Sequence, residues 1–259
     1  MSNKKTNNNL RKVWLTLLFW LVGIFGLHLI ARIFQFKITV LDMLISNLIV
    51  IGLILLINWF YTKEKIYFEW FGFKRIGWLW LFMFLYIVGI NALFKTVPSE
   101  TSLRISLDPV FWLCYILSAS SISVVTFFGV LLPSMMHHFK TDHAIAKSVL
   151  LSAILYSLFQ VYLLNNLYGG FIENVYQLVA FFTLGLICAL LYLRCVNIMV
   201  PIFFSFIETF FAVILTHVTP IWGNGIINIL FFIILAAVIF KVILNTKTVE
   251  QIKNDFKVK

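Results

Sequence analysis

The residues of this chain that could move a proton or hold a polar ligand are embedded in apolar sequence. Glu208 lies in the middle of the run Pro201–Thr216, with Ser205 three positions before it and Thr209 directly after. Residues three apart share a helix face, so Ser205 and Glu208 point the same way in a helix. A carboxylate at membrane depth costs about 2.5–3.5 kcal/mol without a partner, so it is protonated or bonded to a Ser, Gln or Asn of a neighbouring helix. It reads either as a catalytic or ligand-contacting acid, or as a structural hydrogen-bond anchor. Gln160 with Asn165 and Asn166 in one apolar run, and Gln177 in the next, could converge on the same pocket. Ser118-Ala119-Ser120-Ser121-Ile122-Ser123 adds hydroxyls. A nucleophilic serine needs an adjacent base. None is placed to serve these, so small residues here point to close helix packing. His137, His138 and His143 cluster at the end of that run. Metal-binding helices pair histidines three or four apart; this spacing suits a solvated interfacial cluster better. His28 and His217 stand alone, and Cys114, Cys188 and Cys195 lack CxxC spacing and read as small buried hydrophobes.

The elements that position these groups follow from composition. Of 259 residues, 62% are hydrophobic and 12% charged, and the mean hydropathy is +1.00. A soluble domain is roughly 45–50% apolar and about 25% charged. A globule in water could not hide this much apolar surface. A soluble enzyme, a disordered chain and a DNA-binding domain are excluded. The expected fold is all-α, a polytopic membrane bundle of about eight transmembrane helices. The spans are Val13–Phe34, Thr39–Tyr61, Gly77–Phe94, Pro109–Met136, Ala146–Leu167, Glu173–Leu193, Ile198–Thr216 and Ile221–Leu244. Asp108-Pro109 opens the fourth, Asp142 can cap the fifth and Asn197 the seventh, and Pro220 precedes the eighth. Gly169-Gly170 marks a turn, and Pro133 should kink or end the fourth span.

Charge orients the bundle. Twenty Lys and Arg oppose ten Asp and Glu, for a net +10. With eight spans, Arg32, Lys37, Lys95 and Arg104 fall on one side, and the other sixteen of the twenty lie with the termini. That asymmetry makes both termini cytoplasmic and accounts for the charge without nucleic acid. The basic rim favours anionic lipid as a partner. The resulting plan is a basic cytoplasmic tail at 1–12, three spans at 13–108 with an interfacial segment at 61–76, a core at 109–216, a final helix at 217–244 and a cytoplasmic tail at 245–259.

The second half resembles the CPBP, or Abi, family of polytopic membrane proteins, over about Trp112 to Leu215. That family includes CAAX prenyl endopeptidases and bacterial bacteriocin-immunity proteins. Its core orders a helix with EExxFRG, a helix with FxxxH and a later helix, often opened by proline, with HxxxN. Between them lies a glycine–tyrosine–arginine run. Here Phe182-Thr183-Leu184-Gly185-Leu186-Ile187-Cys188-Ala189-Leu190-Leu191-Tyr192-Leu193-Arg194 is similar to that run. Ser123–Gly129 stands where EExxFRG would be, agreeing at Phe127 and Gly129. Tyr156–Gln160 takes the FxxxH place, and Pro201–Thr209 falls on the HxxxN helix.

The resemblance implies that paired glutamates and two histidines would activate water and hold a metal or an oxyanion. At those positions this chain has Ser123, Val124, Gln160 and Ser205, with Phe128 for the arginine and Thr209 for the asparagine. Ser, Val and Gln cannot act as a general base near neutral pH, nor supply a metal's ligands. Glu208 is one residue off the asparagine position and would point about 100° away from it. The expectation is a pseudoprotease without cofactor, its pocket formed by Ser123, Gln160, Ser205 and Glu208. It would bind a peptide, a lipid, or another membrane or envelope protein in a bacterial cell membrane, as an immunity factor or scaffold would. Two alternatives stand beside it: an intramembrane endopeptidase with a rearranged site on Glu208, and a small transporter or lipid-handling protein.

Overall fold

A backbone without water to bond to must bond to itself, and a helix does so within one segment. The computed structural model describes residues 14–15, 18, 40–68, 75–96, 109–139, 143–163, 171–214, 218–220 and 225–257. The expected span Val13–Phe34 lies outside the described residues apart from 14, 15 and 18. Asp142, Asn165, Asn166, the Gly169-Gly170 turn, His28 and His217 also lie outside them. In chain order the elements are α1 (Val40–Ile57), α2 (Trp80–Leu93), β1 (Phe94–Thr96), α3 (Pro109–Val124), α4 (Leu132–His138), α5 (Ala144–Leu163), α6 (Phe171–Cys195), α7 (Met199–Ile214), β2 (Val218–Pro220), α8 (Gly225–Ile243) and α9 (Thr246–Phe256). Asn58–Thr62 and Val125–Leu131 are π-helical.

The helix α6 is the axis. It packs against α5, α7 and α8, while α3 packs against α1 and α7. Every residue from Thr183 to Leu193 is buried, as expected of a helix apolar on all sides. Outer helices turn the opposite way: Leu48, Leu53 and Leu56 of α1, and Ile233, Ile234 and Val238 of α8, are exposed. In water such faces would form an apolar patch; in lipid they are solvated. Three described helices are long and apolar enough to cross a membrane, Leu44–Thr62, Leu113–His138 and Asn174–Cys195. A fourth is added if Ile229–Ile243 and Thr246–Phe256, bent by 64°, count as one. The bundle is therefore helical and compatible with a membrane protein.

Several local signals in the sequence have their counterparts here. Pro109 opens α3. Asn197 accepts a hydrogen bond from the Met199 amide at 3.1 Å and so caps α7. Pro220 is not immediately before α8; it belongs to β2, which pairs antiparallel with β1. Pro133 does not end its span: the helix runs on to His138. The physical reason lies just before it, where Val125–Leu131 widens into a π-turn. A wider turn alters the carbonyl register that a proline ring would otherwise strike.

At Gly185 the helices α5 and α6 nearly touch. A Cβ there would lie 3.1 Å from the Ala153 Cα and 3.2 Å from Tyr156 Cδ1. At Gly52 of α1 nothing lies within 4 Å. Gly185→Ala should therefore destabilise the bundle by about 1–3 kcal/mol, whereas Gly52→Ala should be neutral or stabilise by up to about 1 kcal/mol. Reversible unfolding of the two variants in detergent measures this contrast.

Candidate functional site

The serine run of α3 divides its work by helical position. Ser118 accepts from Asn47 Nδ2 of α1 at 3.0 Å and donates to the Tyr115 carbonyl at 2.8 Å. Ser121 donates back to the Leu117 carbonyl at 2.7 Å. Ser118 thus reaches α1, and Ser120 and Ser123 reach α7 and α5. Gln160 Nε2 of α5 donates to Ser123 Oγ at 3.1 Å. Ser120 Oγ donates to Thr209 Oγ1 of α7 at 3.5 Å, and Thr209 Oγ1 donates to the Glu208 carboxylate at 3.4 Å. The last two bonds are at the long end of the hydrogen-bond range.

One turn before Gln160, Tyr156 is fully buried. Its hydroxyl interacts with Ser205 and Gln160. Its ring meets Phe127 edge-on at 5.9 Å and Phe128 at 5.4 Å. Glu208 is half-buried, and Tyr86, Tyr156, Tyr176 and Cys188 lie within its electrostatic reach. Among the described residues its one hydrogen-bond donor is Thr209, and no Lys, Arg or His forms an ion pair with it. Gln177 also faces inward, its carboxamide oxygen buried without a hydrogen-bond partner.

The six motif positions thus fall into polar and apolar groups. Ser123, Gln160 and Ser205 are linked with Tyr156 between α3, α5 and α7, and Thr209 belongs to a second set with Ser120 and Glu208. Val124 and Phe128 are wholly buried and apolar. Together the polar side chains can donate and accept hydrogen bonds and present one carboxylate, and among the described residues no histidine is bonded to them. Among the described residues no group of three His, Cys, Asp or Glu side chains could hold a metal ion. His137 lies about 21 Å along the helix from Ser123.

The histidine cluster is not simply solvated, and this is where sequence reasoning missed a constellation. His137 Nδ1 lies 3.2 Å from Glu64 Oε2, and its Nε2 lies 3.1 Å from the Phe256 carbonyl. Ser134 Oγ donates to Glu64 Oε1 at 3.0 Å. Ser134 and His137 stand three apart on one helix face, and that spacing was the available signal. Glu64 is held in place by Asn58, whose amide donates to the Glu64 carbonyl at 2.9 Å and whose oxygen accepts from the Glu64 N–H at 3.1 Å. His143 is exposed.

No protein-family model, curated protein or solved structure matches this chain.

A double-mutant cycle of Ser123→Ala and Gln160→Ala should give a coupling of about 0.5–1.5 kcal/mol in detergent unfolding, the worth of one buried hydrogen bond. A coupling near zero would mean that α3 and α5 are not joined there.

Proposed function

We propose that this chain is a CPBP-like membrane protein without protease chemistry, which works by binding a membrane partner or a peptide in the cluster around Glu208. One observation carries the reading. Of the six positions that the resemblance aligns with catalytic groups, Ser123, Gln160, Ser205 and Thr209 bear hydroxyls and an amide, and Val124 and Phe128 are apolar and buried. A protease would need a base and an electrophile there. Ser120, Ser123, Gln160, Gln177 and Ser205 can instead hydrogen-bond a peptide or lipid headgroup, and Glu208 favours a ligand carrying N–H donors or positive charge.

Topology adds direction to this reading. With eight spans and cytoplasmic termini, the basic ends near Arg194 and His137 face the cytoplasm. Gln160 lies about 24 Å beyond Ala144 along α5, and Glu208 about 14 Å beyond Met199 along α7. In a hydrocarbon core about 30 Å thick these side chains would sit at mid-depth to the outer leaflet. A bacteriocin or an envelope protein approaches from that side, so an immunity or scaffold role fits. The endopeptidase alternative would need an imidazole beside Glu208, and none of the described histidines forms an ion pair with it.

Purified protein in nanodiscs should leave CAAX-type and membrane-peptide substrates intact, with or without added zinc. A photo-crosslinking residue introduced at position 205 should capture a membrane or peptide partner in cells. Cleavage that disappears in Glu208→Gln would sink the reading.

A further inference from the structure

The segment after α8 is not a loose tail. Asn245 caps α9 by accepting from the Lys247 amide at 3.2 Å. Thr248, Ile252 and Phe256, four apart, are the buried stripe of this helix, and Lys247, Glu250, Asn254 and Lys257 are exposed. The Phe256 ring sits between Tyr67 at 5.3 Å and Tyr192 at 5.4 Å, edge-on to both. Polar contacts frame that seat. Arg194 donates to Gln251 Oε1 at 2.7 Å, Tyr67 Oη donates to the Asp255 carbonyl at 3.1 Å, and Arg75 pairs with Asp255 at 3.3 Å.

His137 closes the arrangement, and its chemistry is singular. Both ring nitrogens face acceptors: a carboxylate oxygen of Glu64 and the carbonyl of Phe256. A neutral imidazole has one N–H and can satisfy one of them; the imidazolium has two. Phe256 ends α9, and the Lys257 amide turns back to the Lys253 carbonyl. The Phe256 carbonyl is thus one of the helix's last, intrahelically unmatched acceptors, at the negative pole of its dipole. A cation is favoured there as well as beside Glu64.

The other charged groups around the seat are committed or turned away. Asp255 takes Arg75, Arg194 takes Gln251, the Lys65 ammonium lies over the Tyr67 ring at 4.8 Å, and Lys257 is exposed. His138, the other titratable group of α4, has its Nδ1 buried without a hydrogen-bond partner. Glu64 is the one charged side chain that touches the His137 ring among the described residues. The His137 side chain is 37% exposed, so water can supply and accept its proton.

We propose that α9 is a proton-controlled latch: it stays seated while His137 is an imidazolium bridging Glu64 and the Phe256 carbonyl, and it lifts when the ring gives its proton to water. The sign is fixed by the hydrogen bonds. Proton loss leaves one acceptor unmatched, so seating is strong at lower pH and weakens as pH rises. Lifting uncovers the aromatic seat of Tyr67 and Tyr192 and the buried Tyr192 hydroxyl, which lies against the Tyr67 backbone.

Hydrogen exchange of the full chain in nanodiscs tests this, across about pH 6 to about pH 9 and corrected for intrinsic exchange. Protection of the 246–256 amides should fall about tenfold or more over that range, while α6 amides at 184–193 keep theirs. His137→Gln should make the 246–256 profile flat and low, and Glu64→Gln should move the fall to lower pH. Wild-type protection constant within about twofold would overturn the latch, and so would His137→Gln retaining the wild-type fall. If His137→Gln does not yield monodisperse protein, the wild-type series and Glu64→Gln decide, an unshifted Glu64→Gln profile counting against the proposal.

Discussion

The close approach of α5 to α6 at Gly185 is the constraint on which the polar cluster depends. With no side chain at that position, the Ala153 backbone and the Tyr156 ring lie directly against α6. Tyr156 is thereby pressed onto Phe127 and Phe128, and the next turn of α5 carries Gln160 to Ser123. Lipid supplies no hydrophobic drive between helices, so contact has to come from backbone proximity and from polar bonds. Both are found here within two turns of α5. The aromatic wall of Phe127 and Phe128 is wholly buried and fills the π-turn that follows the serines.

Much of the helical framework was legible because hydropathy is written over many residues at once. The limits of α1, α3, α6 and α8 fall close to apolar runs, and Pro109 and Asn197 mark the starts of α3 and α7 by ordinary capping chemistry. Features decided by one or two residues were harder to read. The π-turn at Val125–Leu131 has no composition that distinguishes it from α-helix, so Pro133 looked like a break. The amphipathic stripe of α9, at Thr248, Ile252 and Phe256, is short and lies among lysines, which made the segment resemble a solvated tail. Glu64 and His137 are 73 positions apart, and no local pattern joins them.

The polar cluster was legible in part for a different reason. Polar residues in apolar runs are expensive, so Ser123, Gln160, Ser205 and Glu208 stood out individually. Their convergence followed from the order of helices rather than from any single motif. The division of the serine run was not readable in advance, since whether a hydroxyl bonds its own helix or a neighbour depends on rotation of α3 relative to α1, α5 and α7. The same holds for Ser120 and Thr209, whose contact exists because α3 and α7 lie side by side.

The small ribbon of β1 and β2 bears on how such a chain is assembled. Phe94 is paired with Pro220 and Thr96 with Val218, so its two halves are far apart in synthesis. Closing a loop of that length is entropically slow, and non-local pairing follows local helix formation. Phe94–Thr96 therefore cannot pair until Val218–Pro220 has been made, after α3 to α7. The ribbon is accordingly among the last contacts to close, and it ties the end of α2 to the segment between α7 and α8.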